Sequence, residues 1–301
     1  MEPAPTPTAT PTRTPPPDRP LRPMTPWPDD GHVHTEWSWD AVAGDLLGTC
    51  ARAHEIGLRG LAFTEHAEFG SWAIPRALHD GVPARFRVHL DDAGRVAPAE
   101  LDVAGYLEAL DRARSAFPDL RLTAGVELSE PHRHPGRTAA LLAAGPFDQV
   151  LGSVHTHVDP GGGAVLVGQD LLDPDEGMRR YLDEVLAMVR SDAPFTVLAH
   201  VDYPARYRPA DARPFDPADF SDELHAVLTA LAASGRALEL NTRRPLETEV
   251  LRWWADVGGR EISVGSDAHR PDALADGFAD AAARAESVGF RLTADGRRLR
   301  R

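Results

Sequence analysis

Short apolar runs alternate with longer stretches of helical period along most of this chain. The runs at 31–35, 60–65, 120–127, 147–155, 195–200, 237–241 and 261–266 each predict a strand. Between them, residues 174–190 predict a helix. Asp173 can cap it, Pro174 suits its first turn, and Met178, Tyr181, Leu182, Val185, Leu186 and Val189 make one apolar stripe. Residues 222–234 repeat the logic, with Ser221 as cap, Leu224, Val227, Leu228 and Leu231 inward, and Gly235 as stop. Residues 42–56 and 102–116 are also helix-like. Strands alternating with helices imply an α/β fold with a parallel sheet, and seven such strands suggest that the sheet closes into a barrel.

Two stretches depart from this alternation. Residues 1–28 are rich in Pro and Thr and carry too little apolar surface to offset the entropy of ordering, so they predict a disordered tail ahead of one barrel domain over 29–301. Met24, just ahead of that domain, is an alternative start. Residues 70–100 show no clear period and carry Trp72, Arg85, Arg87 and His89. An irregular insertion of this length on the site face of a barrel suits a lid or a substrate loop.

The ends of the predicted strands carry the chemistry. They read Asp30-Gly-His32-Val-His34, Thr64-Glu65-His66, Gly125-Val126-Glu127, Gly152-Ser-Val-His155, Leu198-Ala-His200 and Gly265-Ser266-Asp267-Ala-His269. His32 and His34 are two apart, so on a strand both point to one side and can reach one ion. Asp40 follows in a loop able to fold back. Imidazole suits Zn, Fe and Mn, and carboxylates can bridge two metals. Six histidines with Asp40, Glu127 and Asp267 exceed what one ion needs and point to two or three divalent ions. Buried ionisable groups without partners are costly, so packing alone does not explain the set. Ions this close suit phosphoester hydrolysis by metal-activated water.

The other histidines divide. His54 and His225 fall in predicted helices and read as surface or packing residues, and His79, His89, His132 and His134 fall in loops. His157, two residues after His155, is a candidate for touching substrate. Glu65 points to the opposite strand face from His66, which suits an outer, orienting role. For a phosphate, arginine forks are the natural donors. Arg206, Arg208, Arg243, Arg244 and Arg270 follow strand ends, and Arg85 and Arg87 lie in the insertion. Glu239 and Asp202 are candidates for pairing a substrate amine, and Asn241 for positioning substrate or water.

Composition narrows the partners. The formal charge of −14 disfavours a generic nucleic-acid or anionic-membrane surface, while an anionic substrate stays open because bound cations reverse the charge inside a pocket. No apolar run spans a bilayer, and residues 1–28 lack the apolar stretch of a secretory signal. A single cysteine, Cys50, excludes an intramolecular disulfide and fits a reducing, cytoplasmic setting. All 32 basic residues are arginine, so no lysine is available as the bridging ligand common in amidohydrolase barrels.

The strand-end motifs, in this order from residue 30 to 269, resemble the polymerase and histidinol phosphatase (PHP) family. The resemblance implies a distorted (β/α)7 barrel with its metal site at the C-terminal strand ends. It implies a first ion held by His32, His34, Glu127 and Asp267. Glu127 would bridge to a second ion completed by His155 and His200, and Asp40, His66 and His269 would hold a third. Zn, Mn or Fe are the implied metals, with His32, His34, Glu127, Asp267 and His269 acting through the activated water.

Within the family the chain looks most like stand-alone histidinol-phosphatase-like members, through Thr64-Glu65-His66, Leu238-Glu239-Leu240-Asn241-Thr242 and the closing Gly289-Phe290. That implies hydrolysis of L-histidinol phosphate, in histidine biosynthesis. The competing expectations are the same chemistry on a nucleotide, a sugar phosphate or phosphotyrosine, and a non-catalytic metal-binding regulatory barrel.

Overall fold

A computed structural model describes residues 27–75, 84–158, 163–168 and 172–301, without the side chains of Ala84 and Arg85. Strands run β1 (Asp30–Val33), β2 (Gly60–Ala67), β3 (Trp72–Ala73), β4 (Arg95–Val96), β5 (Arg121–Ser129), β6 (Gln149–Ser153), β7 (Thr156–Val158), β8 (Ala164–Leu166), β9 (Val197–Leu198), β10 (Ala237–Asn241), β11 (Glu261–Gly265), β12 (Arg291–Leu292) and β13 (Leu299–Arg300). The α-helices are α1 (Leu46–Ile56), α2 (Ala84–Arg87), α3 (Val103–Ala116), α4 (Pro135–Ala143), α5 (Pro174–Arg190), α6 (Ser221–Ser234), α7 (Thr248–Asp256) and α8 (Phe278–Ser287).

The seven expected strands are β1, β2, β5, β6, β9, β10 and β11, and they lie side by side in that order, all parallel. The two ends of the row meet. The amide of Asp267 donates to the carbonyl of His32 at 2.8 Å, and the amide of His34 to that of Ala268 at 2.8 Å. Glycine makes this closure possible. A Cβ on Gly31 would lie 2.5 Å from Ser263 Oγ, and one on Gly265 would lie 2.4 Å from His32 Cβ. The fold is the distorted (β/α)7 barrel that the family resemblance implies. β12 and β13, which that pattern does not announce, extend β11 as an antiparallel edge.

Helix α5 follows its expected span, and Asp173 accepts from the amides of Asp175 and Glu176. Its buried face holds Met178, Tyr181, Leu182, Val185 and Val189 with Met188, while Leu186 is half-buried. Each such side chain contributes about 1.5–3 kcal/mol when fully buried. α1 begins at Leu46, later than expected, because Asp45 is its cap and residues 42–44 form a turn. At α6 the expected cap Ser221 is the first helical residue. The turn Pro217–Phe220 runs straight into the helix, and Gly235 ends it in the left-handed conformation, φ 73°.

Residues 1–26 of the expected tail, Met24 included, lie outside the described residues; Pro28 is buried, and Trp27 packs on Phe278 with ring centroids 6.3 Å apart. The insertion is more regular than its sequence suggests. β3 and β4 join β7 and β8 in a second small sheet of order β4-β3-β8-β7. Trp72, Ile74, Phe86, Val96 and Leu166 form its apolar core, with Trp39 packed against them. These strands are two or three residues long, too short to show a period, and the pairing that joins β3 to β8 sets Ala73 opposite the distant Val165. No helix among the described residues is long and apolar enough to cross a membrane.

Candidate metal centre

Every expected ligand sits at or just past the C-terminal end of a barrel strand, except Asp40, which the turn after β1 folds back over the centre. His32 and His66 lie in β1 and β2, and Glu127 in β5. His155, His200, Asp267 and His269 follow β6, β9 and β11. Two of these residues hold left-handed backbone, His200 at φ 22° and Asp267 at φ 54°. Such strain costs about 1–3 kcal/mol per residue and gathers at functional sites.

Glu127 is the centre of the cluster. Its Oε2 lies 3.2 Å from Nε2 of His32, 3.4 Å from Nε2 of His34 and 3.0 Å from Nδ1 of His66. Its Oε1 lies 2.9 Å from Nε2 of His200 and 3.4 Å from Nε2 of His155. The two oxygens therefore face two different groups of imidazoles. Asp267 closes the first group, with Oδ1 at 3.6 Å from Nε2 of His34. Asp40 reaches both His66 at 3.4 Å and His269 at 3.5 Å.

Outer carboxylates set which ring nitrogens face inward. Nδ1 of His32 donates to Glu239 Oε1 at 2.6 Å. Nδ1 of His34 donates to Ser38 Oγ at 3.0 Å, and Ser38 donates in turn to Glu65 Oε2 at 2.5 Å. Nδ1 of His155 lies 2.8 Å from Glu68 Oε1. With Nδ1 spoken for, each ring presents Nε2 to the centre. Nε2 of His32 and of His34 then face one another at 3.0 Å beside two carboxylates. Two inward lone pairs that close need a shared cation, so this donor set fits a metal ion. Asp40 Oδ1 and His66 Nδ1 are also buried without a hydrogen-bond partner.

Protonation of the ion-free cluster tells the same story. Burial alone would raise the Glu127 carboxyl, but the imidazoles of His32, His155 and His66 outweigh it and hold it well below the carboxylate range. Asp267 is likewise buried yet held low by Arg206 and by His32. Burial lowers His66, while Asp40 and Glu127 overcome that and push it up to about 9. Among the described residues, four sets of atoms lie close enough to share an ion: His32, His34 and Asp267; Glu127, His155 and His200; His34, His66 and His269; and His66, Glu68 and His155.

A cavity opens over the cluster, lined by Asp40, His66, Glu127, His155, His200, Asp267 and His269. Arg206, Arg243 and Arg270 line it too, as do Tyr203, Tyr207 and Phe86. Arg206 is the buried one. Its Nη1 donates to Asp267 Oδ2 at 2.5 Å, while Nε and Nη2 are buried without a partner. Among the described residues, the insertion reaches the cavity at Phe86.

Other expected contacts fall elsewhere. Arg208 bonds Asp175 at the start of α5 and does not line the cavity. His157 lies buried in β7 opposite Val165 and is also absent from the cavity wall. Glu239 is committed to His32 and to the amide of His200 at 2.7 Å, so it cannot serve a substrate amine. Asp202 is buried, 3.9 Å from Arg244, and lines no part of the cavity. Asn241 accepts from the amide of Arg243 at 3.1 Å and donates to Glu239 and Asp267, a turn-capping role. Arg87 is exposed, His89 donates to the carbonyl of Trp39 at 3.0 Å, and His79 and the Arg85 side chain lie outside the described residues.

Sequence reasoning missed Tyr203, Tyr207 and Glu68. The two tyrosines lie in a short 3-10 turn that no apolar period announces. Glu68 carried a usable signal, since it follows His66 by two residues, the spacing that places His32 and His34 on one side.

Comparison with known proteins agrees with the fold. The PHP domain profile matches residues 30–243. A probable histidinol-phosphatase from Thermotoga maritima is 24% identical over 278 residues, 90% of this chain and 97% of that one. The histidinol-phosphatase of Lactococcus lactis is 26% identical over 251 residues, 80% of this chain and 83% of that one. The crystal structure of histidinol phosphate phosphatase from Lactococcus lactis, complexed with zinc, L-histidinol and phosphate, superposes with a TM-score of 0.71 at 24% identity, covering 88% of this chain and 94% of that one. With most of its length matched by the family profile, this chain belongs to the PHP domain family.

Proposed function

We propose that this protein is a metal-dependent phosphomonoesterase that hydrolyses L-histidinol phosphate to L-histidinol and phosphate. The observation that carries the reading is Glu127, whose two oxygens face separate imidazole groups at the floor of an arginine-lined cavity. The relatives named for this activity supply the substrate.

His32, His34, Glu127 and Asp267 would hold one divalent ion, and Glu127, His155 and His200 a second. Asp40, His66 and His269 would hold a third, with Zn, Mn or Fe as the metals. Such ions neutralise phosphate oxygens and lower the pKa of water towards about 7. The chain's own residues then position the ester. Arg206 keeps Nη1 on Asp267 and turns its unpartnered Nε and Nη2 to a phosphate oxygen. Arg243 and Arg270, half-exposed or more at the rim, attract the anion. The half-buried ring of Tyr203 and the buried ring of Phe86 limit water around the leaving group. On this reading the enzyme serves histidine biosynthesis in the cytoplasm and uses a small phosphorylated substrate rather than nucleic acid.

The test is kcat/KM on a panel holding L-histidinol phosphate, a nucleoside monophosphate, a sugar phosphate and a phosphotyrosine peptide. Histidinol phosphate should lead the panel. Faster turnover of another member would keep the phosphoesterase and discard the substrate.

A further inference from the structure

Glu68 belongs to none of the three ion-holding groups assigned above, yet it is buried against two of their histidines. It stands just past the end of β2, with Oε1 at 2.8 Å from Nδ1 of His155 and 3.9 Å from Nδ1 of His66. Ser129 Oγ lies 2.6 Å from the same Nδ1 and is hydrogen-bonded to Glu68. The backbone of His155 is held as well, because Glu130 Oε1 accepts from the amides of His155 at 2.5 Å and Thr156 at 2.7 Å. Glu130 takes a left-handed φ of 43° to do so.

Two roles compete for this carboxylate. Its atoms lie near enough to His66 and His155 to share an ion with them. The His155 atom next to Glu68 is Nδ1, however, while Nε2 of the same ring faces Glu127 and His200. A neutral imidazole offers one lone pair, so it cannot ligate through both nitrogens. A carboxylate can only accept, so with Glu68 at Nδ1 and the facing ion group at Nε2 the two edges of the ring divide the roles. Nδ1 donates outward, and Nε2 is the ligating atom.

We infer that Glu68 is a positioning residue: it fixes the tautomer and direction of His155, and through it the affinity of the ion held by Glu127, His155 and His200. The inference rests on the metal-centre reading above. It extends a pattern in which Glu239 stands behind His32 and Glu65, through Ser38, behind His34.

The experiment is a Zn²⁺ titration of the full chain, wild type beside Glu68→Gln and Glu68→Ala, with ion content, step-wise Kd and the visible spectrum of the Co²⁺-loaded forms. Glu68→Ala should weaken one ion by about 10–100-fold, the range for loss of an orienting partner, and leave the others in place. Glu68→Gln keeps an acceptor for Nδ1, so it should restore most of that affinity and the wild-type Co²⁺ spectrum. Wild-type affinity in Glu68→Ala would overturn the inference. So would equal loss in Gln and Ala, which marks a ligand, or a uniform loss of every ion with a lower ion-free Tm, which marks a structural residue. Failure of the metal-centre reading itself would appear separately, as a wild-type chain that binds no ion.

Discussion

Glu239 Oε1 lies 2.6 Å from Nδ1 of His32, on the edge of the ring opposite the nitrogen that faces Glu127. The other Glu239 oxygen accepts from the amide of His200. One buried carboxylate thus aligns a residue in two of the three proposed ion groups. Glu239→Ala leaves two buried donors unpaired, at about 1–3 kcal/mol each, and should cut ion affinity about 10–100-fold. Ion content after dialysis, with circular dichroism to check the fold, measures this. Full ion content in the variant would remove Glu239 from the account.

Glu127→Ala and His269→Ala should both abolish turnover and leave the fold largely intact. They should differ in metal. Glu127 faces five imidazoles and His269 sits at the edge of the cluster, partly buried, so Glu127→Ala should lose more ions per chain. Elemental analysis of the purified variants decides the order.

Gly265 has no room for a methyl group. A Cβ there would lie 2.4 Å from His32 Cβ and 2.6 Å from Glu239 Oε1. Gly265→Ala should therefore lower stability by about 1–3 kcal/mol, the usual cost of overpacking, and loosen the ion at His32. Thermal unfolding with and without metal should show both effects, with a smaller stabilisation by metal than in the wild type.

Metal affinity should rise with pH. In the ion-free protein His66 stands at about 9, and His32 and His155 are also raised well above the ordinary histidine value because their carboxylate neighbours outweigh burial. At pH 7.5 an incoming ion must displace those protons, so loading releases roughly one per displaced imidazolium. A raised histidine stabilises the fold fully below 6.5, and that contribution is lost as pH rises through about 9. Calorimetry in two buffers of different ionisation enthalpy reads the proton count. Zero release at pH 7.5 would contradict this electrostatic picture.

Arg206→Lys should keep a cation on Asp267 but remove the free edge of the guanidinium fork. Hydrogen bonds to charged groups contribute about 1.5–3 kcal/mol, so kcat/KM should fall roughly 10–100-fold. Arg208→Ala is the control. Its partner is Asp175, at the start of α5, and KM should not move.

The barrel and the gathering of these His, Asp and Glu residues at one end of it were legible because strand ends are local features. An apolar run followed by His or Asp needs no knowledge of the rest of the fold. The second sheet was not, because β3 and β8 are too short to show a period and gain their hydrogen bonds from partners distant in sequence. Arg208 and Arg206 look alike in sequence. A short turn sends one to Asp267 and the other to Asp175, and only the packed structure tells them apart. Glu239 reads as a free strand-end carboxylate until closure of the barrel brings His32 against it.

The most direct test of the metal-dependent phosphoesterase is phosphate release from L-histidinol phosphate by Mn-loaded protein, with chelated protein and His269→Ala alongside. The account predicts rapid release that disappears on chelation, returns on reloading and is absent from the variant. Release that survives chelation, or that is unchanged in His269→Ala, would contradict it.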